Sequence, residues 1–412
     1  QKHPEIIPTS WDNKVVPTKT VDYLAPTFLD EVKKWYGAVM GQVISPRLQS
    51  NGGNIIAVQL DNEIGMLSWV SNSPDLTDNV IIDFSRWLRR TYESKVLSSR
   101  YPFSIDNVAE CVKRFRSPDE SYGPQFLHDL GYYMRDRFAR YVSELRSYAE
   151  EYGISGVPFV INVHGTGGGR GFGFPIGISQ LYRSYTQSPN YLPGSDIYIG
   201  DLTMNNFQDL YIINSYMTSV NTTDQPITSM EFEAGDGNYG DTYGGRYDPS
   251  SIDLKTRMCI AQGNRLLNYY LFAGGINYVL EPKPDDGNNR IAITGERHGF
   301  AAPISPEGKL NYTYPRTARI IKTMMALSEK LSTMKEDHDN LALAFIPDYF
   351  MTEYCHPTNR RMREIVENLT HHRAYESWEI LVRALLLLNY RFGAIDIQGS
   401  DIDPSTTNAL IV

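Results

Sequence analysis

Cysteine is scarce: there are three in 412 residues, Cys111, Cys259 and Cys355. Three cannot build a disulfide framework, and no CxxC or Cys/His pair has zinc spacing, so they read as buried thiols. Net positive charge is also lacking. Lys plus Arg is 39 against 48 Asp plus Glu, and the balance of −9 argues against a nucleic-acid backbone or an anionic membrane as the main partner. No apolar run approaches the roughly 18 residues that a membrane span needs. The longest candidate, Leu381 to Leu388, sits in an amphipathic helical pattern. Internal repeats and low-complexity runs are missing too. Gln1 is not a start methionine and no signal-type apolar stretch follows it. The N-terminus therefore reads as processed or cut, and the compartment, cytoplasmic or secreted, is not legible.

Aromatic side chains are plentiful: 28 Tyr, 16 Phe and 5 Trp, 12% of the residues. Rings with polar tips suit sugars, whose CH faces stack and whose hydroxyls need partners, although a tyrosine-rich core gives the same composition. Apolar residues at 41% and charged residues at 21% are an ordinary globular balance. The length suffices for two or three domains, or for one barrel with an appendage.

Helical spacing covers Pro26 to Val43, Asp78 to Tyr92, Gln125 to Tyr152 and Leu254 to Tyr269. Short apolar runs predict strands at Asn54 to Leu60, Pro158 to Val163, Leu210 to Ser215 and Ile227 to Phe232, with a weaker one at Ile197 to Ile199 and another starting at Tyr270. A Gly-rich loop, Gly165 to Gly177, follows the second. Gly165 and Gly167 resemble part of a dinucleotide motif, but no helix clearly follows, and a mobile substrate loop is the better reading. Alternating strands and helices are the signature of a parallel α/β sheet. Past Tyr314-Pro315 comes a helix to Leu331, then a strand at Leu341 to Ile346, helix over Glu364 to Leu388 and a strand at Ala394 to Ile397. This predicts a second α/β unit. The final apolar run, Asn408 to Val412, has no evident closing element, so this unit reads as cut.

Polar residues gather just after the apolar strands: Asp61-Asn62-Glu63, His164, Glu231 with Glu233, and Asn277. Strand ends carry the chemistry in (β/α)8 barrels and bind ligands in doubly wound sheets. Glycoside hydrolysis needs two carboxyls facing each other across the anomeric carbon, one as acid/base and one as nucleophile. Strand-end carboxylates are also commonly just solvated or salt-bridged, and position alone favours that bland reading.

The wording of the sequence shifts the balance. Gly52-Gly53-Asn54-Ile55-Ile56-Ala57-Val58-Gln59-Leu60-Asp61-Asn62-Glu63-Ile64-Gly65 closely resembles the GGPIIxxQxENEYG segment of family 35 β-galactosidases. Ser229-Met230-Glu231-Phe232-Glu233-Ala234-Gly235 looks like their nucleophile strand. Asn268-Tyr269-Tyr270-Leu271-Phe272-Ala273-Gly274-Gly275-Ile276-Asn277 is similar to their NLYMFxGGTNF strand, and Ala302-Pro303-Ile304-Ser305-Pro306-Glu307-Gly308 to their YDAPIxExG loop. Phe28-Leu29 and Trp35 fit their FL…KW helix. The matches keep the family's order over residues 25–310. Family 42 enzymes share the Asn-Glu and Met-Glu arrangement and carry an α/β domain after the barrel. The resemblance implies Glu63 as general acid/base, Glu231 as the nucleophile of a retaining mechanism, Asn62 on the sugar 2-hydroxyl and Tyr270 near the nucleophile. His164, Asn277 and His298 are further expected sugar contacts; Asp201, Asn205 and Glu281 are weaker ones. Arg86, Arg89 and Arg90 fall on a solvent face and receive no function.

The departures are informative. The family has an aromatic residue where Glu233 stands. Glu231 and Glu233 have the same parity along a strand, so periodicity does not choose between them; the motif alignment favours Glu231. Glu233 is expected among the substrate contacts, for extra hydroxyls or an amino sugar. Ile64 replaces a tyrosine, and Phe300-Ala301 replaces the YD before the proline loop. The acid/base strand of such barrels is the fourth and the nucleophile strand the seventh. The expected fold is therefore α/β, a (β/α)8 TIM barrel of which this chain supplies roughly strands 4–8, followed by part of a flavodoxin- or amidotransferase-like domain. Residues 1–335 would form the N-terminally incomplete barrel and 340–412 the start of the second domain. An open remnant would expose apolar edges, so a longer polypeptide or another segment is expected to complete it. The function read from this is a retaining β-glycosidase, first a β-galactosidase. The alternatives are a β-glucosidase or endoglycanase, or a non-catalytic sugar-binding remnant. A carbohydrate is the expected partner, with no nucleic acid and no membrane. Barrels of this kind often form homo-oligomers. No cofactor or metal is required, because two carboxylates suffice.

Overall fold

The computed structural model describes residues 3–16, 20–165, 171–235, 247–276, 302–351, 354–373 and 377–412, and the backbone of 297–298. The helices used below are α1 (Pro26–Tyr36), α2 (Asp78–Thr91), α3 (Gly123–Glu151), α4 (Phe174–Thr186), α5 (Phe207–Val220), α6 (Ser250–Ala261), α7 (Tyr314–Ala326) and α8 (Arg360–His372). The strands are β1 (Val58–Gln59), β2 (Phe159–Val163), β3 (Tyr191–Ile197), β4 (Ile227–Glu233), β5 (Asn264–Tyr270), β6 (Gly275–Ile276), β7 (Arg297–His298), β8 (Leu341–Phe345), β9 (Gly393–Asp396) and β10 (Ala409–Ile411).

The main sheet has the order β1-β2-β3-β4-β5, and its strands run parallel. A helix lies between each pair of successive strands, α3, α4, α5 and α6 in turn, and α7 follows β5. This is five βα units of a (β/α)8 barrel, the expected α/β class. A separate parallel sheet has the order β10-β8-β9. Among the described residues no helix is long and apolar enough to cross a membrane.

By compactness the chain divides into two units. The first comprises Gln1–Ile161, Ser179–Tyr191 and Asp348–His372. Its core is aromatic: the Phe84 ring of α2 meets Phe115 at 5.0 Å, Phe126 at 5.9 Å and Tyr133 at 5.1 Å, the last two from α3. Helix α2 starts where the Thr77 hydroxyl accepts the Val80 N–H at 3.3 Å, an N-cap that satisfies an otherwise orphaned donor. Asp129 of α3 is fully buried and accepts from Tyr92, Tyr101 and Arg100, so its charge is compensated.

The second unit comprises Asn162–Ile178, Leu192–Pro347 and Arg373–Val412. Helix α5 is its buried axis. Tyr216 stacks on Phe345 of β8 at 4.4 Å, and the Tyr211 hydroxyl donates to the Phe392 carbonyl at 2.9 Å. Trp378 Nε1 donates to Asp209 at 2.8 Å.

Several sequence expectations are corrected here. Leu210 to Ser215 is not a strand; it lies inside α5, where Gln208 through Met217 are all buried. A helix buried all round shows the same continuous apolar run as a central strand. The neighbouring strand is β3, longer than the expected 197–199 because Pro193 and Gly194 lie within it. The expected helix over Leu254 to Tyr269 ends at Ala261. Gly263, at φ 104°, turns the chain into β5, which begins before Tyr270. Helix α4 does follow the Gly-rich loop. The apolar tail run does form a strand, β10, paired with β8 through Ala409–Leu341.

Candidate active site

In the first unit, β1 leads directly to Asp61-Asn62-Glu63. The Leu60 N–H still bonds the Val160 carbonyl at 3.3 Å, and the chain then turns sharply. Glu63 has φ +51°, a left-handed conformation unusual for a residue with a side chain, and Gly65 follows at φ +82°. Asp61 Oδ1 accepts the Asn62 N–H at 2.8 Å, and Oδ2 accepts the Tyr141 hydroxyl at 2.9 Å. Burial pushes the Asp61 carboxyl up, against these two donors. Gln59 Nε2 donates to Asn62 Oδ1 at 3.0 Å, which fixes the orientation of the Asn62 amide. Glu63 is half-buried and Asn62 exposed.

In the second unit, β4 carries Glu231 and Glu233. A bulge interrupts it: Ser195 pairs with Ser229 but Asp196 pairs with Glu231, so one residue is extra on β4. The Asn268 amide donates to the Met230 carbonyl at 2.8 Å within that bulge. The two glutamates have unlike surroundings. Glu233 is buried, accepts the Tyr247 hydroxyl at 2.6 Å and the Gly200 N–H, and pairs with buried Lys255 at 3.2 Å. Glu231 is half-buried and accepts the Tyr198 hydroxyl. Burial, with the hydrogen bond to Glu231 next, drives the Tyr198 phenol far above its ordinary range, so it stays a donor. Tyr270 meets the Tyr198 ring edge-on at 5.9 Å. Asp196, buried, accepts from Asn162 at 2.9 Å, and its carboxylate lies within 4.8 Å of that of Glu231.

The proline loop is held against the same strands. A Cβ on Gly235 would lie 2.5 Å from Ala302 Cα, and the Ile304 N–H bonds the Phe272 carbonyl at 3.0 Å. His164 is buried after β2, and a Cβ on Gly177 would lie 2.2 Å from its carbonyl oxygen. His298 lies in β7 opposite Gly275. Asn277 and Glu281 fall outside the described residues. Asp201 accepts the Asp248 N–H at 3.1 Å, a long-range contact that ties the segment after β3 to the one before α6.

The second unit thus brings Glu231, Glu233 and Tyr270 together, with Tyr198, Asp196, Asn162, Tyr247 and Lys255, which sequence reasoning missed. Tyr198 and Asp196 follow the strand-end rule and were hidden by the misplaced β3. Lys255 carries no sequence signal beyond a cation on a helix.

No family model matches the chain. It is 23% identical over 410 residues to a β-1,2-glucosyltransferase of Ignavibacterium album, covering 96% of this chain and 54% of that protein. It is 26% identical over 293 residues to an exo-β-D-glucosaminidase of Thermococcus kodakarensis, covering 67% of this chain and 34% of that protein. The chain therefore spans about half the length of the first relative and a third of the second. Among solved structures, a GH42 β-galactosidase from G. stearothermophilus, in a catalytic-mutant form, superposes with a TM-score of 0.54 at 11% identity, covering all of this chain and 55% of that one. The chain has a glycoside-hydrolase-like fold; the likeness does not single out family 35.

Proposed function

We propose that the chain carries the catalytic machinery of a retaining β-glycosidase acting on a terminal β-linked hexose. Glu231 is the nucleophile and Glu63 the general acid/base. The observation that carries this reading is the inequality of the two β4 glutamates. Glu233 is committed to Lys255, Tyr247 and the Gly200 backbone, whereas Glu231, half-buried, accepts from the Tyr198 hydroxyl. A carboxylate paired with a buried ammonium is a poor nucleophile and a good strut. Glu233, expected among the sugar contacts, is therefore assigned to holding the end of β4.

In the first step Glu63, protonated, gives its proton to the glycosidic oxygen as the C1–O bond breaks and a Glu231 oxygen bonds to C1. In the second, Glu63 as carboxylate takes a proton from water, which attacks C1 and releases Glu231. The two carboxyls would stand about 5–5.5 Å apart for this outcome. Tyr198 holds the Glu231 carboxylate in place. Asn62, Tyr270, His164, Asn277 and His298 are the proposed sugar contacts.

Galactose is the first sugar implied by the motifs, but the relatives' names bring in glucosyl and glucosamine substrates as well. The test is a panel of aryl β-galactoside, β-glucoside and β-glucosaminide. One should be cleaved, Glu231→Gln should fall to background, and Glu63→Gln should lose about 10²–10⁴-fold on a substrate with a poor leaving group. No cleavage of any would favour the sugar-binding remnant. The likeness to a glucosyltransferase over almost the whole chain favours one second reading, in which a sugar hydroxyl replaces water in the second step. Added glucose would then shift products from free sugar to disaccharide. We also propose that residues 340–412 begin a second α/β domain, because β8, β9 and β10 form a sheet of their own.

A further inference from the structure

We infer that Asp61 and Tyr141 are positioning residues that brace the backbone of Glu63 in its left-handed conformation; this rests on the reading of Glu63 as acid/base. A glutamate at φ +51° is held against its own steric preference, and such a conformation persists only where the surroundings over-determine it. The surroundings here are specific. Two residues before Glu63, the Asp61 carboxylate ties the Asn62 N–H at 2.8 Å to the Tyr141 hydroxyl of α3 at 2.9 Å. Two residues after Glu63, Gly65 lies against the same helix: a Cβ there would come within 2.7 Å of Phe138 Cζ. Phe138 and Tyr141 are three apart on α3, hence on one face.

A third contact closes the brace. The Gly65 N–H donates to the Tyr23 hydroxyl at 3.2 Å, and the Tyr23 ring lies 4.7 Å from that of Tyr141. Gln59 Nε2 adds a bond to the Asp61 carbonyl at 3.0 Å. The residue proposed as acid/base thus stands in a turn whose two sides are pinned to one face of a long helix. General acid catalysis requires the proton donor within hydrogen-bond reach of the leaving oxygen, so a small backbone relaxation at Glu63 would weaken proton transfer before it weakened anything else. A merely structural role for the Asp61–Tyr141 pair predicts no such selectivity.

The experiment compares kcat/KM in the full-length protein for two β-glycosides of the preferred sugar. A disaccharide or alkyl glycoside needs its leaving group protonated; a 2,4-dinitrophenyl glycoside does not. Tyr141→Phe removes only a hydroxyl, and Asp61→Asn keeps the shape and loses the charge. Each should lower kcat/KM about tenfold or more on the poor leaving group and less than about threefold on the activated one. Equal losses on both substrates, or no loss on either, would overturn the brace while leaving the glycosidase reading intact. If Asp61→Asn fails to fold, Tyr141→Phe carries the comparison. An unsubstituted protein that cleaves neither substrate would sink both readings at once.

Discussion

Glu231 and Glu233 differ by two positions and by the company they keep. Replacing Glu233 with Gln leaves the Lys255 ammonium buried without its counter-charge. This should lower stability by about 3 kcal/mol, read from a urea midpoint. Glu231→Gln should leave that midpoint nearly unchanged while abolishing turnover; the opposite pattern would exchange their roles. A second residue-scale case lies in the first unit, where Arg137 sits between Asp22 and Asp75. Burial raises Asp75 to about 6 from the ordinary 3.8, despite Arg137. A carboxyl raised on folding binds its proton more tightly in the folded state. Its contribution to stability is therefore greatest below about 3.8 and is lost as pH rises through about 6. Asp75→Asn should flatten the fall in stability between pH of about 4 and 7, measured as paired denaturation midpoints; an unchanged slope would contradict this. The glutamate pair was legible in the sequence as two candidates of equal parity. What separates them, Lys255 and Tyr247, comes from residues 22 and 14 positions away, and no periodicity reports that.

At the scale of elements, the short apolar strands β2, β4 and β8 and the amphipathic helices α2 and α3 were readable because one period dominates each. Helix α5 was not, because burial on every side erases the polar face that marks a 3.6-residue period. Strand β3 was shortened because Pro193 and Gly194 are ordinarily turn residues. Both misreadings fell beside the site, and together they hid Asp196 and Tyr198. The close approach of the proline loop to β4 gives a further expectation. Gly235→Ala would set a methyl group against Ala302 and should cost about 1–3 kcal/mol in a denaturant titration, with a loss of activity beyond the loss of folded protein. A variant as stable and active as the parent would mean that the loop is not seated by that contact.

At the scale of the whole molecule, five successive βα units were expected from four motifs in a fixed order and a second α/β unit from the strand and helix pattern after Tyr314-Pro315, and the likeness to a GH42 β-galactosidase agrees with the barrel fold. The compact units do not follow the chain in order: residues 348–372 belong with the first and 373–412 with the second. Contact density of this kind has no counterpart in a linear pattern of apolar residues. Substrate identity is less legible than fold, since it depends on a few hydroxyl partners on loops, and the relatives' names divide over it.

With Glu231 as nucleophile, a sugar becomes covalently attached to it in each turnover. A 2-deoxy-2-fluoro-β-glycoside with a good leaving group reports this directly, because fluorine at C2 destabilises the oxocarbenium-like transition states and the reactive leaving group lets attachment outrun hydrolysis. Incubation with the galacto and gluco reagents, followed by intact mass and peptide mapping, should show one fluoro-sugar on the peptide spanning Ile227 to Ala234, with fragmentation locating it on Glu231. An adduct on Glu233, or none from either reagent in a protein that cleaves aryl glycosides, would contradict the account.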